Sequence, residues 1–192
     1  MNKNLLLVLT GTSGSGKTTL CRRFLSEVKI AERVVTTTTR LPRSGEVDGI
    51  DYHFECRDNF LKRLEQHEFL EHAQVYDHFY GVSKAALKMA AGKDLIICLD
   101  VQGAQTLKAS YKASELVRRL VTIFVSPVTI NELKDRLIMR GTDDEQTIQR
   151  RLQMAETELR TLSQFDYHLC SQDKAHDWLC LQSIYFAEKM RI

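Results

Sequence analysis

The sequence predicts an α/β fold, a parallel sheet core flanked by helices, and three observations carry that expectation. Short β-type runs alternate with helix-like segments: LLLVLT precedes KTTLCRRFLSEV, DLIICLD precedes QGAQTLKAS, and LVTIFVS precedes a longer helical region. Such alternation argues for crossover units. The first apolar run, Leu5 to Leu9, passes straight into a Gly/Ser loop and reads as a buried strand, being far shorter than a membrane span and almost without a basic flank. Finally, 192 residues with 43% hydrophobic content suffice for one core, and two prolines (Pro42, Pro127) with no low-complexity tract leave no linker between independent domains.

Composition also excludes function classes. Lys and Arg number 27 against 25 Asp and Glu, a formal net charge of +2, which is not the basic excess of a protein that lives on nucleic acid. Any anionic ligand is therefore held locally. Five cysteines (Cys21, Cys56, Cys98, Cys170, Cys180) form no CxxC pair, so the expected setting is a reducing cytoplasm without zinc knuckles or a disulfide framework. The six histidines lack an HExxH or close pair and read as surface or packing residues.

After the first strand the chain reads GTSGSGKT from Gly11 to Thr18, the pattern GxxxxGK followed by Thr, at the start of a helical segment. Glycines let backbone amides wrap phosphate oxygens, Lys17 reaches the β and γ groups, and Thr18 offers a hydroxyl to magnesium. Gly11, Thr12, Ser13, Gly14, Ser15, Gly16, Lys17, Thr18 and Thr19 are the candidates for binding a nucleoside triphosphate. The motif alone leaves GTPases, ATPases, kinases and motors open.

The next stretch, TTTTRLPRSGEVDGIDYHF (36–54), is too polar and too punctuated by Gly and Pro for core. Arg40 and Arg43 lie together on a turn set by Pro42, and Tyr52 adds a hydroxyl; guanidinium forks match phosphate oxygens bidentately, which points to a second anion site. FLEHAQVYDHFYGVSK then supplies Glu71 and Tyr80 before a Gly turn. Further on, Thr129 with Glu132 and Thr142 with Glu145 match capping boxes, and Gly141 ends the first of the two helices. Ile148, Leu152, Ala155, Leu159 and Leu162 form one stripe of the second, so the pair could move as a flap. Arg22 with Arg23, and Arg118 with Arg119, read as solvated pairs. Residues 177–190 carry Trp178, Leu181, Ile184 and Tyr185 at helical spacing, a closing core helix.

TTRLPRSGEVDGIDYHF resembles the signature of guanylate kinases, which phosphorylate GMP with ATP. EFLEHAQVYDHFYGVSK, CLDVQGAQ, ELKDRLIMRGTDDEQTIQRRL and FDYHL follow in the family's order, so the resemblance spans nearly the whole chain. It implies the P-loop nucleoside monophosphate kinase fold as a single domain: a core (1–33, 92–132, 153–192), a GMP-binding lobe (34–91) and a helical lid (133–152). It further implies transfer of the γ-phosphate of ATP to GMP, and to dGMP, with Mg2+. Carried over by position, Arg40, Arg43, Tyr52 and Tyr80 hold the GMP phosphate, Thr36 lies near the nucleotide, and Glu71 receives the guanine edge. Asp100 meets guanine, or magnesium through water, and Ser83 joins the GMP side. Arg136, Arg140 and Arg151 match the lid arginines that act in catalysis with Lys17. ATP and GMP are the expected partners, with no nucleic acid and no membrane, for a monomer or homodimer.

Three positions depart from the family's pattern. Val82 stands where a Ser or Thr donates to guanine O6, and Ser83, one residue on, faces the other way in an extended segment. Cys98 replaces a common Asp, and Ser171 an Asn near adenine. A non-catalytic guanylate-kinase-like module binding phosphorylated peptides is the first alternative, although its members typically have a degraded phosphate loop. A related kinase with another phosphorylated acceptor is the second. A nucleic-acid-binding ATPase, the third, is disfavoured by the charge.

Overall fold

A computed structural model describes residues 4–75, 77–88, 92–112, 117–141 and 144–192. Its elements run β1 (Leu5–Gly11), α1 (Lys17–Glu27), β2 (Ala31–Arg33), β3 (Thr37–Thr38), β4 (His53–Phe54), α2 (Arg57–Glu65), β5 (Phe69–Val75), β6 (His78–Ser83) and α3 (Lys84–Lys88). They continue with β7 (Asp94–Cys98), α4 (Val101–Lys112), β8 (Arg119–Pro127), α5 (Ile130–Arg140), α6 (Glu145–Leu159), a 3-10 turn (Leu162–Gln164), β9 (Tyr167–Ser171) and α7 (Lys174–Met190).

The expected parallel core is a five-stranded sheet in the order β2-β7-β1-β8-β9. β1 is buried along its whole length because it is paired on both edges and covered on both faces. Leu5, Leu7 and Leu9 pack with Leu20, Cys21 and Phe24 of α1 and with Trp178, Leu181 and Tyr185 of α7. Leu6 and Val8 face the other way, toward Ala104, Leu107 and Tyr111 of α4. The period-2 alternation of a strand thus feeds two helical layers from one apolar run. A four-stranded sheet, β4-β3-β6-β5, stands apart from the first and is mixed: β3 and β4 are parallel, while β6 is antiparallel to β3 and β5.

Asp94 opens β7 fully buried, its carboxylate accepting from the Leu5 amide at 2.8 Å, the Tyr185 hydroxyl at 2.7 Å and the Lys189 ammonium at 3.1 Å. A buried charge persists only when paired and hydrogen-bonded in this way. It ties the N-terminal end of β1 and β7 to α7.

The two helices after β8 form a small core of their own, Leu133 and Leu137 against Ile148, Leu152 and Ala155. Thr129 caps α5 by accepting from the Glu132 amide at 3.1 Å, and the Glu132 carboxylate accepts from the Val128 amide at 3.2 Å, one residue before the cap. Gly141 closes α5 at φ 66, a left-handed conformation glycine adopts without strain. The second capping box is corrected: Asp144 caps α6, accepting from the Thr147 amide at 2.7 Å, and Thr142 lies outside the described residues. The apolar stripe of α6 divides, since Leu159 and Leu162 pack against the α4-side core rather than the core shared by α5 and α6. α6 accordingly continues past residue 152, as one rod spanning two cores.

The paired arginines are not simply solvated. Arg22 reaches Asp51 at 3.2 Å, Arg23 lies over the Trp178 ring and donates to the Lys174 carbonyl, Arg118 donates to the Leu87 and Lys93 carbonyls, and Arg119 donates to the Glu188 and Arg191 carbonyls.

Candidate active site

The C-terminal ends of β1, β7 and β8 converge where open α/β sheets bind ligands, and the phosphate-binding sequence emerges there. Gly11 is at φ +121, and a Cβ on it would lie 2.0 Å from the Val125 carbonyl oxygen, so only glycine lets the loop leave β1 against β8. Gly14 (φ 88) and Gly16 (φ 92) also require the left-handed region, and Gly16 caps α1 without any side-chain bond. The first amides of α1 therefore remain available to an anion, with the helix dipole behind them. The Lys17 ammonium arches back over the loop and donates to the Gly11 and Thr12 carbonyls, each at 2.8 Å. Burial lowers its pKa, while Cys98, Glu158 and Asp100 oppose that by favouring the charged form. Thr10, Thr12 and Ser15 keep buried hydroxyls without a partner among the described residues. Thr18 and Thr19 are exposed in the first turn.

A cluster of basic and aromatic side chains is built on the second sheet. Arg40 lies over the Tyr52 and Phe54 rings at 5.5 and 5.9 Å, stands near enough to Tyr80 to interact with its hydroxyl electrostatically, and pairs with Glu46 at 2.9 Å. Tyr52 and Tyr80 stand edge to face with centroids 6.1 Å apart, and burial raises the Tyr52 phenol, which stays a neutral donor. Arg43 sits on an exposed turn whose backbone amide donates to Glu46 at 2.8 Å. Arg40, Tyr52 and Tyr80 thus form one cluster, with Arg43 on its rim. Glu46 was not singled out in the sequence, yet it holds the Arg40 guanidinium and fixes the backbone of the turn that carries Arg43. Asp51, held below the usual carboxylate range by the Val47 amide together with Arg22 and Arg33, pins the loop beneath Tyr52 to the core.

Glu71 occupies an inward position of β5, on the face it shares with buried Phe69 and Ala73, and is 2% exposed. No hydrogen-bond donor among the described residues reaches its carboxylate. Burial, aided by the nearby charge of Asp100, pushes its pKa up to about 8. Its cross-strand neighbour is Val82, fully buried, so the place beside the carboxylate offers no hydroxyl. Ser83 accepts from the Ala86 amide at 3.1 Å at the start of α3, which occupies a lone pair of its hydroxyl and not its O–H donor. Thr36 is buried where its carbonyl accepts from the His53 amide. Asp100 caps α4, accepting from the Gly103 amide at 2.9 Å.

Between the two halves stands a residue the sequence did not announce. Glu158, half-buried on α6, has its pKa raised to about 7 by burial, with Lys17 favouring its charge and Asp100 opposing it. It lies two turns beyond Arg151, whose guanidinium donates to Ser13 at 3.4 Å, so this helix face looks onto the phosphate loop. Cys98 contributes too: its thiol donates to the Lys17 carbonyl at 3.7 Å, and its closeness to Cys21 together with burial raises the Cys21 pKa. Arg136 donates instead to the Ser171 hydroxyl at 3.0 Å and the Gln172 carbonyl at 3.2 Å, at the end of β9. Arg140 ends α5, and its side chain lies outside the described residues.

The model of the family described as guanylate kinase matches residues 3–184. A guanylate kinase of Wolinella succinogenes is 40% identical over 185 residues, covering 95% of this chain and 84% of that protein. One of Clostridioides difficile is 38% identical over 194 residues, covering 100% and 92%. Among solved structures, a crystal structure of guanylate kinase from Anaplasma phagocytophilum superposes with a TM-score of 0.78 at 26% identity, over 100% of this chain and 89% of that one.

Proposed function

The chain belongs to the guanylate kinase family, and we propose that it transfers the γ-phosphate of ATP to GMP, giving ADP and GDP, with dGMP accepted in place of GMP. The observation that carries the base choice is Glu71. A buried carboxylate without a donor is costly to the protein alone, and guanine presents its N1 hydrogen and 2-amino group as two adjacent donors. Adenine offers a lone pair at N1 and no 2-amino group, leaving the acid unpaired.

In this reading ATP lies on Gly11 to Thr18 and GMP lies between Glu71 and the cluster of Arg40, Tyr52 and Tyr80, with Arg43 closing the rim. A GMP phosphate oxygen attacks the γ-phosphorus in line, and the bond to the bridging oxygen of ADP breaks. Charge remains on peripheral oxygens throughout, so positioning and fixed cations do the catalytic work. Lys17 spends two N–H bonds on the Gly11 and Thr12 carbonyls, and its third is left for a phosphate oxygen. Arg151, already against the loop at Ser13, brings a guanidinium to the same oxygens. Arg136 and Arg140 join it as the lid closes over both nucleotides and excludes water.

Kinases of this type use a divalent ion, and the residues here fit Mg2+. Among the described residues no cluster of three or more His, Cys, Asp or Glu could hold a metal. Mg2+ on a triphosphate needs only one or two hard protein oxygens, the rest being water and phosphate. Thr18 would supply a hydroxyl from the first turn of α1, and Asp100 would act through water. When bound, the ion screens phosphate charge.

The test is ADP release by the purified chain with ATP, magnesium and, in turn, GMP, dGMP, AMP, UMP or CMP. Turnover with the guanine acceptors alone is expected. ADP formation with none of them, alongside tight phosphopeptide binding, would favour the non-catalytic module.

A further inference from the structure

We propose that Gly103 is a specificity-determining positioning residue for the acceptor base: the hydrogen on its α-carbon leaves the space in which the Glu71 carboxylate stands. This rests on the assignment of Glu71 to guanine. Gly103 lies in the first turn of α4 with ordinary helical backbone, so no conformational demand explains a residue that weakens helices. Close approach does. A Cβ at this position would lie 2.8 Å from Glu71 Oε1, 3.4 Å from Glu71 Cδ and 3.4 Å from Asp100 Oδ2. The same residue's amide donates to Asp100 Oδ1 at 2.9 Å. One residue thus sets both acids, holding Asp100 through its backbone and admitting Glu71 through its missing side chain.

The atoms that would be displaced belong to a side-chain end, not to backbone, so a methyl group here shifts the carboxylate rather than the fold. Relief of the contact requires a retreat of roughly half an ångström, and a misplacement of that size at a binding group costs about tenfold. Glu71 has little room to absorb it, being 2% exposed between Gly103 and Val82.

The experiment is Gly103→Ala in the full chain, with steady-state kinetics and thermal melting. The expected result is a KM for GMP raised about tenfold, an unchanged KM for ATP, a guanine-over-adenine preference reduced by a similar factor, and a melting temperature equal to or above that of the parent, since Ala favours the helix. A second variant, Gly103→Ala with Glu71→Asp, retracts the acid by one methylene. Its KM for GMP should be lower than the product of the two single effects predicts. An unchanged KM for GMP in Gly103→Ala, equal losses for ATP and GMP, or strict multiplicativity in the double variant would each overturn the proposal. If the parent chain itself fails to phosphorylate GMP, the assignment of function falls instead, so the two failures are separable.

Discussion

In the proposed reading, protonation of Glu71 makes acceptor binding depend on pH in a window well above that of an ordinary carboxylate. Reading the guanine edge requires two acceptor oxygens, and the neutral acid offers only one together with a hydroxyl donor. With its pKa pushed to about 8 by burial and Asp100, roughly one Glu71 in ten is ionised at pH 7. The apparent affinity for GMP scales with that fraction, so KM for GMP at pH 7 should stand about tenfold above its value at pH 9. The sign follows from the raised pKa: the binding-competent form gains population as pH rises through about 8 and is lost below it. The GMP phosphate has its own second pKa near ~6, below the window, and loss of the guanine N1 proton at the upper end acts on the parent and on Glu71→Gln alike, so the comparison of the two isolates the protein group. The assay is coupled ADP release at saturating ATP, with Glu71→Gln run in parallel to remove other titrations, including that of Glu158. Asp100→Asn, which keeps a capping side chain on α4 but removes the charge, should move the profile to lower pH. A KM for GMP that is flat between pH 7 and 9, rises with pH, or falls equally in Glu71→Gln would refute the reasoning. The same shift weakens the unliganded fold, whose stability should decline as pH rises from the ordinary value of 4.5 toward about 8.

Lys17→Ala should lower kcat by about 10³ or more while leaving GMP binding, followed by calorimetry, within about twofold, because the lysine touches the loop and not the acceptor sheet. Arg40→Ala should raise KM for GMP by about 10- to 100-fold, the loss of one charge-assisted bond, with KM for ATP unchanged; parallel KM measurements decide it. Asp94→Ala leaves the Leu5 amide, the Tyr185 hydroxyl and the Lys189 ammonium without their acceptor and should cost about 3–5 kcal/mol in denaturant unfolding, with kcat of the folded fraction retained.

The phosphate loop was legible from residues 11–18 alone because backbone geometry encodes it locally: the glycines reach positive φ, and the lysine needs only its own loop to find its place. The same holds for β1, a continuous apolar run buried on both faces, and for α5, whose Thr129 cap and Gly141 terminus are short-range chemistry. Arg40, Arg43 and Tyr52 suggested a second anion site from their own chemistry, whereas Glu71 drew notice only through likeness to a family, since nothing about it in isolation distinguishes it from an exposed strand acid. Burial decided that, and burial comes from α4 and β6 packing on β5. Glu158, Cys98 beside Cys21, and the Gly103 contact with Glu71 escaped the sequence for one physical reason: each juxtaposes groups from different elements, at separations no periodicity records. A helical glycine was the single visible hint. By itself the sequence determined the fold class, the strand-to-helix phosphate loop and the caps of the lid's first helix, because these depend on neighbours along the chain. Only the tertiary structure decided that Glu71 is buried beside Asp100, and therefore that its proton is held more tightly, because desolvation depends on what the rest of the chain places around it.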